Sequence, residues 1–430
     1  MHDFKFKNNE LYCESVKVSA VAKKVGTPFY LYSHATLVDH FKKIKEAFAP
    51  INPLICFAMK SNGNAAVVKT LIDQGAGIDI VSGGELKKAI KIGTDPKTIC
   101  FTSAGKTEEE IILAIKKDIL LFNVESKEEL GAINAIARKL KKTVQVALRI
   151  NPDVDAATHK SITTGTLKNK FGIDLKTARE ILKNAKKYPN LEINGLHVHL
   201  GSQITSVKPY VFALKKIIQF LEMLCADSIC LRYLDIGGGF GISYEKKAIT
   251  PKQFAKALLP LLKMTGLKII LEPGRFIAGP SGIFVTKVLY NKDNGVKKFV
   301  IVDGGMNDFA RPSLYNAYHE IVPIKKTAGK KIKVDVVGPI CESGDFFAKD
   351  RKLQTVKKND LLAIMRAGAY GAAMASNYNV RPKVAEIMAK GNKFEIIKSR
   401  ETFNDLIRGE KIPGFLDPDF VSTKSAQRAG

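Results

Sequence analysis

From residue 54 onward, short apolar runs alternate with stretches of helical period. The apolar runs occupy 54–59, 77–81, 98–101, 119–123, 144–150, 193–199, 231–236 and 268–271. Between them lie helix-like stretches at 64–74, 83–92, 107–117, 126–142, 175–187, 206–224 and 251–264, and another, 35–48, precedes the first run. Strands that are apolar almost throughout are buried on both faces, the condition of a parallel sheet covered by its crossover helices. Eight such units predict an α/β fold closed into a (β/α)8 barrel.

The texture changes after about residue 276. Short β-like runs at 282–290, 298–302, 333–337, 361–366 and 393–397 are separated by turn residues, and helical period fades. This predicts a second, mainly antiparallel β domain. The segment 151–171 has no period, and a loop this long inside a barrel usually serves function or motion.

Composition adds limits rather than detail. With 430 residues, 45% hydrophobic and 26% charged, the chain is neither disordered nor fibrous. No apolar run reaches the roughly 18 residues of a membrane helix. The N-terminus MHDFKFKNNELYCES lacks the apolar stretch of a secretory signal, so the cytoplasm is the expected compartment. The net charge of +26 invites a nucleic-acid or membrane reading, but the lysines are spread as pairs along helical stretches, such as Lys42-Lys43 and Lys87-Lys88. A solvated basic surface is the simpler account; neither nucleic acid nor membrane is an expected partner. The six cysteines form no C-x-x-C pair and read as reduced thiols.

In a barrel of this kind, chemistry gathers at the C-terminal ends of the strands. The first run ends in Lys60-Ser61-Asn62. A lone lysine usually just faces water, but desolvation at a barrel mouth lowers an amine's pKa and suits it to imine formation. The sixth run, GLHVHLGSQ, puts His197 and His199 on one side. No third ligand in HExxH or Cys/His spacing supports a metal, so none is expected. A histidine ring can instead stack on an aromatic cofactor, though core histidines are common.

The seventh run leads into Gly237-Gly238-Gly239-Phe240-Gly241. Ile242 occupies the position of the third glycine of a dinucleotide fingerprint, so the turn suits a single phosphate better. The eighth run ends in Glu272-Pro273-Gly274-Arg275, where a carboxylate could hold a protonated ring nitrogen, or could merely close the barrel with a salt bridge. An amine, a stacking ring, a phosphate-sized turn and a carboxylate together match the needs of pyridoxal 5′-phosphate. Farther on, Cys341 lies beside Glu342 and Asp345. Nearby negative charge disfavours a thiolate, which points to proton donation rather than attack, unless the cysteine is an inert core thiol.

The motifs FAMKSN (57–62), DIVSGGEL (79–86), HVHLGSQ (197–203), DIGGGFGI (235–242), EPGR (272–275), VDGGMND (302–308), RPSLY (311–315), CESGDFFAKDR (341–351) and GAYGAAMASNYNVRP (368–382) cover nearly the whole chain. In this order they resemble the diaminopimelate decarboxylases, of the alanine-racemase-like fold class. The resemblance implies a barrel at 30–275 that binds pyridoxal phosphate, and a β domain made from 1–29 and 276–430. It implies that Lys60 holds the cofactor covalently and His199 stacks on its ring. Ser202, Gly239 and the backbone of Glu272, Pro273, Gly274 and Arg275 would surround the phosphate, while Glu272 keeps the ring nitrogen protonated. Arg275, Arg311 and Tyr315 would bind the distal carboxylate end of meso-diaminopimelate and Glu342 its distal amine. Cys341 would donate a proton, Tyr370 would touch cofactor and substrate, and the CESGD segment would enter the partner's site in a homodimer.

The implied reaction is decarboxylation of meso-2,6-diaminopimelate to L-lysine and carbon dioxide. The rivals are a sister decarboxylase of ornithine, arginine or carboxynorspermidine, a racemase, and a non-catalytic cofactor carrier or nucleic-acid binder. The tail 424–430 has no assigned role.

Overall fold

The computed structural model describes residues 3–154, 170–245, 248–413 and 415–416. Most of the 151–171 segment and all of the 424–430 tail therefore lie outside the described residues.

Eight strands close into an all-parallel barrel: Leu54–Ala58, Gly77–Ile80, Ile99–Thr102, Leu121–Val124, Val144–Arg149, Leu191–His197, Tyr233–Asp235 and Lys268–Leu271. Closure is made by Ile270 and Leu271 of the last strand pairing with Leu54 and Ile55 of the first. Each strand fell within a few residues of its apolar run, because a strand buried on both faces leaves an uninterrupted hydrophobic signature. The helices cover the outside. Their starts follow ordinary capping chemistry: Ser82, Ser126 and Asp174 accept backbone N–H groups at three helix N-termini, and Thr107 with Glu110 forms a capping box.

The second sheet is mainly antiparallel. Its central strand, Gly282–Asp293, pairs with Phe29–Ser33, Lys298–Val302 and Leu361–Ile364. Phe346–Gln354, Ala385–Lys390, Ile321–Pro323 and Phe29–Ser33 escaped the sequence pattern. The first of these, FFAKDRKLQ, carries four charges and pairs in the described sheet only with Lys331–Val337, so its exposed side hides the alternation. The N-terminal strands Phe4–Lys7, Glu10–Cys13 and Val16–Lys17 join this half of the molecule: Leu11 N–H donates to the Ile324 carbonyl at 2.8 Å, and Lys326 N–H to that of Asn9 at 2.8 Å. The two halves share one hydrophobic core, in which Tyr30, Tyr32, Phe284 and Phe309 pack with barrel residues such as Phe57 and Phe240. No helix among the described residues is long and apolar enough to cross a membrane.

Candidate active site

Every barrel strand delivers a polar side chain at or next to its C-terminal end. In chain order these are Lys60, Asp79, Thr102, Asn123, Arg149, His197, Asp235 and Glu272. All but Lys60 are buried. Eight polar groups on one rim of an otherwise apolar barrel are not a packing solution, because each carries a desolvation cost that only hydrogen bonds or function offset.

Lys60 occupies a single 3-10 turn, Met59–Ser61, directly after the first strand. Its Nζ lies 2.8 Å from Asp79 Oδ2. Its partial burial alone lowers the amine's proton affinity, as the position in sequence suggests, but the carboxylates of Asp79 and Glu272 outweigh it and hold the ammonium above its ordinary range. The expectation of a depressed lysine is thereby corrected: the barrel rim is apolar in sequence but acidic in space. Asp79, in turn, is pushed up to about 7 by its own burial and by the charge of Glu272, against the pull of Lys60. Its second oxygen, Oδ1, is buried without a hydrogen-bond partner.

Glu272 is held from three sides. Thr102 Oγ1 and Asn123 Nδ2 donate to Oε1 at 3.2 and 3.3 Å, and His197 Nε2 stands 3.3 Å from Oε2. Burial would raise its pKa, yet His197 and the positive charge of Lys60 hold it below the usual carboxylate range. Asp235 is driven the other way by its burial and the charge of Glu272. Two carboxylates this close cannot both ionise, so Glu272 keeps the charge and Asp235 keeps a proton. His197, Asp235 and Glu272 offer ligand atoms within 4.8 Å of one another, a grouping that spacing in sequence did not disclose.

The glycine turn lies against this cluster. Gly238 N–H donates to His199 Nδ1 at 3.3 Å, and Gly237 N–H to Asp235 Oδ1 at 2.8 Å. Burial, aided by the charges of Lys60 and Arg149, holds His199 well below its ordinary pKa, so its ring is neutral. A Cβ at Gly238 would sit 2.1 Å from the Glu272 carbonyl oxygen, and one at Gly239, whose φ is +90°, 2.5 Å from that of Gly201. Only glycine permits this approach. Pro273 and Gly274 lie against the end of the first strand, where Ala58 N–H donates to the Pro273 carbonyl at 3.3 Å.

Arg275 donates to Ser202 Oγ through Nε and Nη2, at 3.2 and 2.9 Å, and to Tyr244 OH through Nη1 at 3.2 Å. Its guanidinium lies 4.8 Å from the centre of the Tyr370 ring. Arg311, also buried, donates from Nε to His319 Nε2 at 3.3 Å and stands 5.8 Å from the Tyr315 ring. His319 is kept neutral by burial and by the charge of Arg311; the Met365 carbonyl, 2.9 Å away, accepts its Nδ1–H. The turn bearing Tyr370 is tied to the barrel by its N–H on the Ser61 carbonyl at 2.8 Å, and by Asn62 Nδ2 on that of Gly368 at 2.9 Å.

Cys341 and Glu342 stand apart. Both are exposed, on the turn before Phe346–Gln354. Cys341 N–H donates to Asn379 Oδ1 at 3.3 Å, and the Glu342 carboxylate faces the Tyr378 hydroxyl, whose pKa it raises. Among the described residues no hydrogen bond or ion pair joins either to Lys60 or Glu272.

The arrangement fits pyridoxal 5′-phosphate: the cradle tolerates no side chain, Asp79 Oδ1 is unpartnered next to the amine, and an ionised carboxylate waits at the bottom of the barrel mouth. Residues 34–279 match the family described as pyridoxal-dependent decarboxylase, pyridoxal binding domain. A diaminopimelate decarboxylase of Aquifex aeolicus is 46% identical over 404 residues, 94% of this chain and 96% of that protein. The chain belongs to the diaminopimelate decarboxylase family. The family's Helicobacter pylori structure, complexed with L-lysine, superposes with a TM-score of 0.87 at 43% identity, covering 91% of this chain and 98% of the other. A lysine/ornithine decarboxylase of Vibrio vulnificus, complexed with putrescine, is less similar: TM-score 0.77 and 25% identity, over 87% of this chain and 97% of that one.

Beyond the residues expected in this family, Asp79, Asp235, Arg149, Tyr244 and His319 enter the site. Asp79, Arg149 and Asp235 left a signal, a charge inside an apolar run. Tyr244 and His319 left none: Tyr244 meets Arg275 31 positions away, and His319, only eight positions from Arg311, lies in a stretch with no period to show that the two would meet.

Proposed function

We propose that this protein removes one carboxylate of meso-2,6-diaminopimelate, giving L-lysine and carbon dioxide, with pyridoxal 5′-phosphate bound at the barrel mouth. The observation that carries the reading is the buried Glu272, ionised and hydrogen-bonded, facing the same rim as Lys60. When bound, the cofactor supplies the electron-withdrawing ring that receives the electrons of the breaking Cα–carboxylate bond.

Lys60 Nζ is the covalent anchor, and Asp79 Oδ2, at 2.8 Å, takes up and returns the proton that the amine must shed. His199, neutral, stacks on the ring, while Gly237, Gly238 and Gly239, with Ser202 and the backbone of 272–275, hold the phosphate. Glu272 keeps the ring nitrogen protonated, and the proton on Asp235 prevents a second negative charge from competing with it. Arg275, Arg311 and Tyr315 bind the distal carboxylate, Glu342 the distal amine, and Tyr370 both cofactor and substrate.

Cys341 returns a proton to Cα from the partner subunit of a homodimer. The exposure of Cys341, Glu342 and Ser343 on a single chain supports that arrangement. The division of labour follows the sequence: 30–275 for the cofactor, 1–29 with 276–430 for the substrate and the partner. The compartment we assign is the cytoplasm. A plain diamino acid would leave the arginines facing the distal end without an anion, which penalises ornithine and lysine as substrates.

The deciding experiment is carbon dioxide release from a panel of amino acids. Release from meso-diaminopimelate far exceeding that from ornithine is expected. Equal turnover of both would overturn the roles given to Arg311 and Glu342, and racemised substrate without carbon dioxide would overturn the reaction class.

A further inference from the structure

We propose that Asp345 is a positioning residue that sets the geometry of the Cys341–Ser343 tip, and so acts on the active site of the opposite subunit. This deepens, and rests on, the shared-site reading above. Asp345 is buried beneath the exposed tip. Its Oδ1 accepts the N–H of Met306 at 2.7 Å and its Oδ2 the N–H of Ile340 at 2.7 Å. The two donors belong to different segments. Met306 lies in the 302–308 turn, and Ile340 is the residue before Cys341. One side chain therefore rivets the start of the tip to a neighbouring turn.

The packing leaves that carboxylate little choice of place. A Cβ at Gly338 would sit 2.4 Å from Asp345 Oδ2 and 2.7 Å from the Gly304 carbonyl oxygen. Backbone bonds close the same loop: Glu342 N–H to the Ile340 carbonyl at 2.8 Å, and Asp345 N–H to that of Glu342 at 3.0 Å. Both oxygens of Asp345 are needed, because each takes one N–H. An asparagine offers a single acceptor oxygen and turns its amide N–H toward the other donor. Asp345→Asn thus breaks one anchor with almost no change in volume.

The test uses holoenzyme hybrids, co-expressed with two affinity tags and purified as mixed dimers. The Asp345→Asn homodimer is expected to lose roughly tenfold in kcat, as for one lost hydrogen bond to a buried charge, with cofactor affinity unchanged. The hybrid of Lys60→Ala with Asp345→Asn is expected to recover about half of wild-type activity, since one of its two sites then draws an intact amine and an intact tip from different chains. Peptide-resolved alkylation of Cys341 by iodoacetamide, in the absence of substrate, is expected to quicken several-fold in Asp345→Asn. Gly338→Ala, which displaces the same carboxylate, is expected to behave alike. The control is the hybrid of Lys60→Ala with Cys341→Ala. If the control recovers and the Asp345 hybrid does not, or if the alkylation rate is unchanged, the positioning role is overturned while the shared site stands. If neither hybrid recovers, the shared site itself is overturned, and this inference with it.

Discussion

Gly238→Ala is the sharpest single test of the site. The added methyl carbon would sit 2.1 Å from the carbonyl oxygen of Glu272. A carbon and an oxygen rest at about 3.3 Å, so one of two chain segments must retreat by roughly 1.2 Å. Neither can do so by a rotamer change, because the obstacle is backbone. One segment carries Glu272; the other is the glycine turn. Their separation also stretches the bond from Glu272 N–H to the Gly237 carbonyl, now 2.8 Å. Overpacking of this kind costs about 1–3 kcal/mol, and a buried hydrogen bond lost beside it about as much again.

A displacement near 1 Å of groups that orient a bound reactant lowers turnover by about a hundredfold. Cofactor affinity should fall too, since phosphate and ring nitrogen are gripped by the two segments that part. The assays are titration of the apoprotein with pyridoxal 5′-phosphate, kcat by carbon dioxide release, and thermal unfolding. Gly131→Ala is the matched control. It makes the same chemical change in the helix Lys127–Lys139, where a Cβ meets nothing within 4 Å, and should gain a fraction of a kcal/mol from helix propensity. A Gly238→Ala enzyme with wild-type cofactor affinity and kcat would refute the claim that the turn and Glu272 form one closely packed grip.

Other consequences are as direct. Lys60→Ala should yield protein that borohydride cannot lock covalently to added pyridoxal phosphate; a reduced adduct still found on the peptide carrying position 60 or elsewhere in the barrel removes Lys60 as anchor. Arg311→Ala should lower the preference for meso-diaminopimelate over ornithine by about a hundredfold, as expected when a buried ionic partner of the substrate is withdrawn, and an unchanged ratio of kcat/KM values sinks that role. Asp308, raised to about 6 by burial, binds its proton more tightly folded than unfolded. Its contribution to stability is therefore present below pH 4 and is lost as pH rises toward 6, by up to about 3 kcal/mol. The difference in unfolding free energy between wild type and Asp308→Asn should shrink across that interval. A flat difference contradicts the shift.

The barrel was legible in the sequence because parallel strands buried on both faces leave unbroken apolar runs, and their ends point to the residues that can do chemistry. Lys60, His199, Gly239, Glu272 and Arg275 are all found at or just beyond the end of such a run. What one dimension does not carry is the field these ends create together. Lys60 reads as a desolvated amine until Asp79 and Glu272 are seen on the two strands flanking its own, and only then is it clear why the ammonium is stabilised. His197 reads as a core histidine or a stray ligand until Glu272, 75 positions away, meets its Nε2. The Phe346–Gln354 strand went unread because four consecutive charges, Lys349 to Lys352, separate its buried residues and break any hydrophobic period. Local pattern is encoded by burial, residue by residue, and so survives in the sequence. The charge balance of the site is a sum over eight strands brought to one rim, and only the closed barrel performs it.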